Sequence, residues 1–406
     1  MPVSREVTRA VGALQPFLQA ITDPELTAAF EAPDVCDFLV GNPEEPALPG
    51  YVETLQKWAV PQNRRWFAYG LGHRPAQEAA AVALSSELSM VFEPDDILLT
   101  RGAHGALAMA MRLVLEPGDE VVFVSPPWFF YEVIIGATGA TPVRVRADME
   151  TFDLDLDAIE AAITPRTRMV LINTPNNPTG RIYPSETLER LAGVLRRRSD
   201  DTGRPVYLLS DEAYSKVLFD GNRMISPARW YPDTFLVHTY SKSSLAPGQR
   251  LGFLAMPPSM PDREDFRMAY LAAGVATSNA LPDSIMQHAL ADIEGIVLDM
   301  GRLQRRRDHV LDGLRSFGYD VHTPEATFYL LPKSPIDDDL EWARRLASEH
   351  VAVLPGRACE MPGYFRISLT ATDDMVERAL PVFERAIARL GRLGAARGPR
   401  SGSRPV

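Results

Sequence analysis

The chain has 406 residues, enough for two domains, or one large domain with a satellite. Hydrophobic residues make up 46% and charged residues 23%, the balance of an ordinary globular enzyme. A net charge of -11 with no acidic block excludes nucleic acid as the main partner, and no apolar run reaches the length of a membrane span.

The opening segment is too polar for a signal peptide. Two distant cysteines, Cys36 and Cys359, point to reduced thiols and a cytoplasmic setting. Residues 1 to about 33 read as helical, with Val7, Val11, Leu14 and Leu18 on one face and Pro16 as a break or a start. Asp37 to Pro43 reads as a short strand and turn within a proline-rich crossing. A helix is expected over Pro75 to Met90, then a strand over Asp96 to Thr100. Arg101-Gly102-Ala103-His104-Gly105 turns the chain into a second helix, His104 to Leu115. A strand, a small-residue turn and a helix together offer free N–H groups and a positive dipole end to a phosphate, although the same residues also make an ordinary turn.

Val121 to Val124 reads as a strand that ends at Pro126-Pro127-Trp128-Phe129-Phe130-Tyr131. Trp128 either packs in the core or stacks on a flat ligand ring. Arg168 to Ile172 is a strand ending in Asn173-Thr174-Pro175-Asn176-Asn177-Pro178-Thr179-Gly180. After a helix over Ser185 to Arg197, the strand Val206 to Leu209 ends in Ser210-Asp211-Glu212-Ala213-Tyr214. A carboxylate just past a buried strand needs a cationic partner. Thr234 to His238 and Leu251 to Met256 are two more apolar runs, and they place Lys242 in a loop at a strand end, with Arg250 following. Lys242 is either a solvated surface lysine or, among hydroxyls, one that can form a Schiff base with an aldehyde while an arginine holds an anion. An aldehyde with a phosphate describes pyridoxal 5'-phosphate (PLP).

Strands alternating with helices from Asp96 to Met256 mean a mostly parallel sheet covered on both faces. Ligands of such sheets bind outside the carboxyl ends of the strands. The groups around Gly102, Asn177, Asp211 and Lys242 all follow strands, so they can converge there. Beyond them come a helix over Asp299 to Phe317, strands at Thr327 to Leu331, Val351 to Leu354 and Phe365 to Leu369, and a helix over Asp374 to Leu390. In Phe365-Arg366-Ile367-Ser368-Leu369 the alternation sets Arg366 opposite its apolar neighbours. This part reads as a second, α+β domain, and the arginine-bearing stretch from Gly391 as a flexible overhang.

Taken in order, these parts resemble the class I/II (fold type I) PLP-dependent aminotransferases, related to aspartate aminotransferase, from about Asp37 to Leu390. The resemblance rests on Thr-x-Gly-Ala at 100 to 103, Pro-Gly-Asp-Glu-Val at 117 to 121, Pro-x-Trp at 126 to 128 and Asn-Asn-Pro-Thr-Gly at 176 to 180. It continues through Ser-Asp-Glu-Ala-Tyr at 210 to 214, Ser-Lys at 241 and 242, Gly-x-Arg-x-Gly at 248 to 252, and Phe-Arg-Ile-Ser at 365 to 368. Each motif is weak alone; the ordered set is specific.

The resemblance implies an α/β fold of PLP fold type I: a large domain with a mostly parallel sheet sandwiched by helices, plus a smaller α+β domain. The expected bounds are 1–55 for an N-terminal segment of the small domain, 56–295 for the large domain, 296–390 for the rest of the small domain, and 391–406 for a tail. It also implies the roles. Lys242 would bind PLP and shuttle the proton. Asp211 would hold the proton on the pyridine nitrogen. Tyr214 and Asn177 would hydrogen-bond the phenolic oxygen, and Asn177 would also lie next to substrate. Trp128 would stack on the ring. The Ala103 and His104 amides, with Thr239 and Arg250, would hold the phosphate, and Arg366 would bind the substrate carboxylate. Tyr69 would reach the phosphate of a neighbouring subunit, which implies a homodimer. No metal is implied.

Two stretches depart from the family pattern. Tyr69-Gly70-Leu71-Gly72-His73-Arg74 lacks the usual Leu-Arg, which leaves His73 and Arg74 as substrate contacts or surface residues. Ala326-Thr327-Phe328-Tyr329 lacks the usual glycine. The expected reaction is transamination between an L-amino acid and a 2-oxo acid. C–S or other β-elimination, racemisation, and decarboxylating or oxidative chemistry are alternatives on the same cofactor. A DNA-binding sensor is disfavoured because the stretch before Asp37 is too short for a helix-turn-helix head.

Overall fold

The computed structural model describes residues 2–279 and 281–396. The chain forms two compact units. The first takes residues up to Gln15, Pro46–Met300 and Pro324–Thr327; the second takes Pro16–Glu45, Gly301–Thr323 and the chain from Phe328 on. Residues up to 15 and from 46 to 55 thus group with the large unit rather than the small one.

The strands in chain order are β1 (Cys36–Phe38), β2 (Ile97–Thr100), β3 (Glu120–Ser125), β4 (Thr141–Arg146), β5 (Thr167–Asn173) and β6 (Tyr207–Asp211). They continue with β7 (Thr234–Thr239), β8 (Gly252–Ala255), β9 (Tyr329–Leu330), β10 (Val351–Pro355) and β11 (Phe365–Ser368).

In the first unit a seven-stranded sheet runs in the order β2-β8-β7-β6-β5-β3-β4. Only β8 runs against its neighbours. Its strands are unbroken apolar runs because both faces are covered. Val121, Phe123, Met169, Leu171, Leu209 and Val237 enter one core with the helix Gly102–Val114. The intervening Val122, Val124, Val170, Ile172 and Leu208 enter another with the helix Ser185–Thr202. Residues adjacent in sequence thus serve opposite faces, as the two-residue period of a strand requires. Strand β4 carries no such apolar run: as an edge strand it buries only Val145 well and alternates with arginines, so the sequence does not mark it.

The second unit holds a mixed four-stranded sheet in the order β1-β10-β11-β9. It packs against the helices Pro24–Phe30, Asp339–Ala347 and Asp373–Ala396. The last helix continues past Gly391 to Ala396, where a tail was expected; residues 397–406 lie outside the described residues.

The N-terminal helical reading resolves into three helices: Arg5–Ala13, Gln15–Ile21 and Pro24–Phe30. Pro16 sits in the first turn of the second, where its missing N–H would have had no helical partner. Val7 and Val11, read as part of one apolar helical face, are 48% and 46% exposed.

Candidate active site

The carboxyl edge of the large sheet is set by register. Thr100 on β2 pairs with Gly252 on β8, which pairs with Thr239 on β7. Asp211 pairs with Val237 on one side and Asn173 on the other. Four chain segments therefore leave the sheet side by side, all in the first unit.

Gly252 is required at its place. A Cβ there would stand 2.5 Å from the His238 carbonyl oxygen and 2.9 Å from the Gly102 backbone. Gly102 itself has φ +77° and begins the helix that carries Ala103 and His104 in its first turn. A Cβ on Gly102 would meet Arg250 Nη2 at 2.7 Å, so its absence is what lets the guanidinium lie against the helix start. Arg250 donates to the carbonyls of Pro247 (2.8 Å) and Arg101 (3.3 Å) and to Ser241 Oγ (3.3 Å). Among the described residues it has no carboxylate partner, and desolvation lowers its pKa.

Lys242 stands not in a loop but on the single helical turn Tyr240–Ser243, directly after β7. Thr239 caps that turn, its hydroxyl accepting from the Ser241 N–H at 3.3 Å. Lys242 Nζ lies 5.6 Å from the centre of the Tyr214 ring. Among the described residues it has no hydrogen-bond or ion-pair partner.

Asp211 is the last residue of β6 rather than the first beyond it, and it is buried. Burial pushes its carboxyl up; the Tyr131 hydroxyl donating to Oδ2 at 2.7 Å and the Ala213 N–H donating to Oδ1 at 3.2 Å oppose this. Burial also raises its neighbour Glu212, to about 8, partly offset by hydroxyl donors on Ser226 and Ser210. The second acid of the motif is therefore held neutral near pH 7 and adds no second negative charge beside Asp211.

Two residues to which the sequence motifs assign no role tie these pieces together. Asn173 donates its side-chain amide to the Asp211 carbonyl (2.8 Å) and accepts from the Asn177 N–H (2.8 Å), stapling the Asn177 loop to the end of β6. Tyr131 reaches Asp211 across 80 positions of sequence. Its aromatic neighbour Trp128 meets it edge-on at 5.6 Å and meets His104 edge-on at 5.9 Å. Gly180, at φ +72°, closes the Asn177 loop, and its carbonyl accepts from the N–H groups of Glu325 and Ala326, each at 3.1 Å. This packs the loop against the start of the stretch that lacks the usual glycine. Thr327 there has φ +73°, a strained value for a β-branched residue.

The other expected residues make separate contacts. Tyr69 is 92% exposed. His73 stacks at a tilt on His288, centroids 4.2 Å apart, and Arg74 pairs on the surface with Glu78 and Asp95. Arg366 belongs to the second unit. It is buried on β11, donates Nη2 to the Leu39 carbonyl at 3.2 Å, and lies 4.1 Å over the Tyr329 ring.

Residues 33–383 match the family of class I and II aminotransferases. An aspartate/prephenate aminotransferase of Thermus thermophilus is 31% identical over 398 residues, covering 95% of this chain and all of that one. An aspartate aminotransferase of Rhizobium meliloti is 34% identical over 366 residues, covering 84% of this chain and 86% of the relative. Among solved structures, an aminotransferase of Eubacterium rectale superposes with a TM-score of 0.87 at 28% identity over 96% of this chain and 99% of that one. The Thermus thermophilus aspartate aminotransferase with maleate gives 0.80 at 28% identity, over 95% and 100%.

The chain belongs to the class I and II aminotransferases. It is a PLP-dependent aminotransferase of fold type I; the lyase and oxidative alternatives are not favoured. The residues present fit the cofactor. An amine with no hydrogen-bond or ion-pair partner among the described residues, a buried carboxylate, and a guanidinium with no carboxylate among them at a helix start match, in kind, an aldehyde, a ring nitrogen and a phosphate. Its substrates are small molecules, and among the described residues no helix is long and apolar enough to cross a membrane.

Proposed function

We propose that this enzyme transfers the amino group of an L-amino acid to a 2-oxo acid, with aspartate the first donor to test, as the names of several relatives suggest. The observation that carries the reading is the sheet edge itself, where Lys242, Asp211 and Arg250 emerge from neighbouring strands. Bound PLP supplies an aldehyde and an electron-accepting ring.

Lys242 would hold the aldehyde through Nζ and would carry the proton at the substrate Cα. Asp211 holds the ring-nitrogen proton, and burial strengthens that pairing. Tyr214 and Asn177 would donate to the phenolic oxygen, and Trp128 would stack on the ring. The first N–H groups of the helix at Ala103 and His104, with Thr239 and Arg250, hold the phosphate. Arg366 would take the substrate α-carboxylate, and Asn177 would also contact substrate.

The active enzyme is a homodimer, in which Tyr69 reaches the partner subunit's cofactor phosphate. Its near-complete exposure supports this, as does the stripe Met268, Leu271 and Val275, 83%, 46% and 64% exposed. That stripe flanks Tyr270, whose hydroxyl donates to the Leu71 carbonyl at 2.8 Å, so the two surfaces adjoin. Two buried, free cysteines support a cytoplasmic setting.

Mixing the loaded enzyme with single amino acids and no acceptor tests the reaction. Transamination yields one 2-oxo acid per active site and then stops until a 2-oxo acid is added. Continuous release of ammonia would refute it. Lys242→Ala is expected to lower turnover by about 10⁴-fold or more without unfolding the protein, as measured by steady-state kinetics and thermal melting.

A further inference from the structure

Within the second unit, the guanidinium of Arg366 meets one support from the turn after β1 and another from β9. Strand β1 pairs in parallel with β10, Phe38 opposite Val353. On the far side of β10, Leu354 pairs with Arg366 of β11. The backbone just beyond β1 thus lies one strand away from Arg366, and the Leu39 carbonyl accepts its Nη2 at 3.2 Å. On the other flank β11 pairs with β9, Ser368 opposite Tyr329, and the Tyr329 ring lies 4.1 Å beneath the guanidinium carbon. A planar cation stacked on a ring and tied at one nitrogen has little rotational freedom left. A fixed fork is what bidentate recognition of a carboxylate needs.

The Leu39 carbonyl in turn is placed by Asp37. The Asp37 carboxylate accepts from the Leu39 N–H at 2.8 Å, and the Val40 N–H is a second donor to it. An aspartate bonding the backbone two residues on makes a local turn that sets where the following peptide groups point. Asp37 is 4% exposed, so water does not readily replace that contact. The turn then runs into Gly41, where a Cβ would collide with the Tyr329 hydroxyl. The same loop therefore meets both supports of the arginine: it supplies the carbonyl that ties Nη2 and leaves room for the ring on which the guanidinium lies.

We propose that Asp37 is a positioning residue for carboxylate recognition, acting through the Leu39–Gly41 turn to fix the guanidinium of Arg366. This rests on the reading of Arg366 as the carboxylate ligand. Asp37 does not touch substrate; it sets the direction of the group that does. Its removal loosens binding of the amino acid's carboxylate and leaves cofactor binding in place.

The test is done on PLP-loaded enzyme, with maleate as a carboxylate probe that undergoes no amino transfer, followed by spectral titration. Asp37→Ala is expected to weaken maleate and raise the amino-acid KM by about tenfold or more, with kcat and PLP affinity within about twofold of wild type. Asp37→Asn keeps a carbonyl oxygen for the Leu39 N–H and is expected to restore most of the affinity. In an Arg366→Ala background, Asp37→Ala is expected to add nothing further.

Unchanged maleate affinity in folded Asp37→Ala would overturn the inference, as would an equal loss in the Arg366→Ala background. A parallel fall in PLP affinity and melting temperature, with no selective loss of maleate, would mark Asp37 as merely structural and also overturn it. If Arg366→Ala itself leaves maleate and KM unchanged, the carboxylate role of Arg366 fails, and the inference with it. Should Asp37→Ala not fold, Tyr329→Leu removes the other support and is expected to give the same selective loss; no loss would count against the held-guanidinium account.

Discussion

The two ends of β2 treat charge in opposite ways. At its start, Asp96 is fully buried, and each charge there is matched. Arg267 bonds it at 2.6 Å and also reaches Glu93, Arg263 approaches at 3.4 Å, and the Glu93 N–H donates to its other oxygen. Four residues later the strand ends at Thr100, and the cation beside the next turn, Arg250, is given only carbonyl and hydroxyl oxygens among the described residues. The first arrangement has its partners within the chain and holds the sheet to the helix Arg263–Ala276. The second leaves a cation whose best partner is an anion from outside. Stability and binding are thus separated along one four-residue strand.

Substitutions at the two ends should separate in the same way. The largest effect belongs to the matched end. Asp96→Ala takes a fully buried partner from the half-buried Arg263 and Arg267 and the acceptor from the Glu93 N–H, and is expected to cost about 3 kcal/mol of unfolding free energy, read by urea titration. Arg250→Ala should do the reverse: little change in the melting of cofactor-free protein, and about 10- to 100-fold weaker PLP binding, the worth of charge-assisted hydrogen bonds to a phosphate.

Tyr131→Phe falls between the two ends. The hydroxyl holds the Asp211 carboxyl below where burial alone would put it, so its loss raises that group further. The stabilisation it provides belongs to the ionised form. It is present where the carboxyl is ionised and lost as pH falls through the folded-state titration. Cofactor-free Tyr131→Phe is therefore expected to be about 1.5 kcal/mol less stable than wild type on the alkaline side of that titration, with the gap narrowing as pH is lowered, read by urea titration across pH. The smallest effect is expected at Arg74, whose partners are exposed on the surface. Arg74→Ala should change stability by less than about 0.5 kcal/mol and leave turnover unaltered, which would also remove it as a substrate contact.

Much of the large unit is legible in the amino-acid sequence because its central strands are covered on both faces, so each appears as a short apolar run ending in polar residues. Such runs are enough to put Asn177, Asp211 and Lys242 at or near strand ends. Finer placement is not legible. Whether Lys242 sits in a loop or on a helical turn depends on the Thr239 cap. Whether residues 2–15 join one unit or the other depends on contacts distant in sequence. The supports escape for the same reason. Tyr131 lies 80 positions from Asp211, and Arg267 lies 171 from Asp96; no local pattern marks such pairs. The helix Tyr51–Ala59 is hidden behind a run of prolines that reads as extended chain.

The most direct measurement compares the affinities of wild type and Arg250→Ala for PLP and for pyridoxal, which has the same ring and aldehyde but no phosphate. If Arg250 is the cation left for the phosphate, the variant loses affinity for PLP and binds pyridoxal as wild type does. Equal losses for both ligands, or none for either, would contradict that assignment.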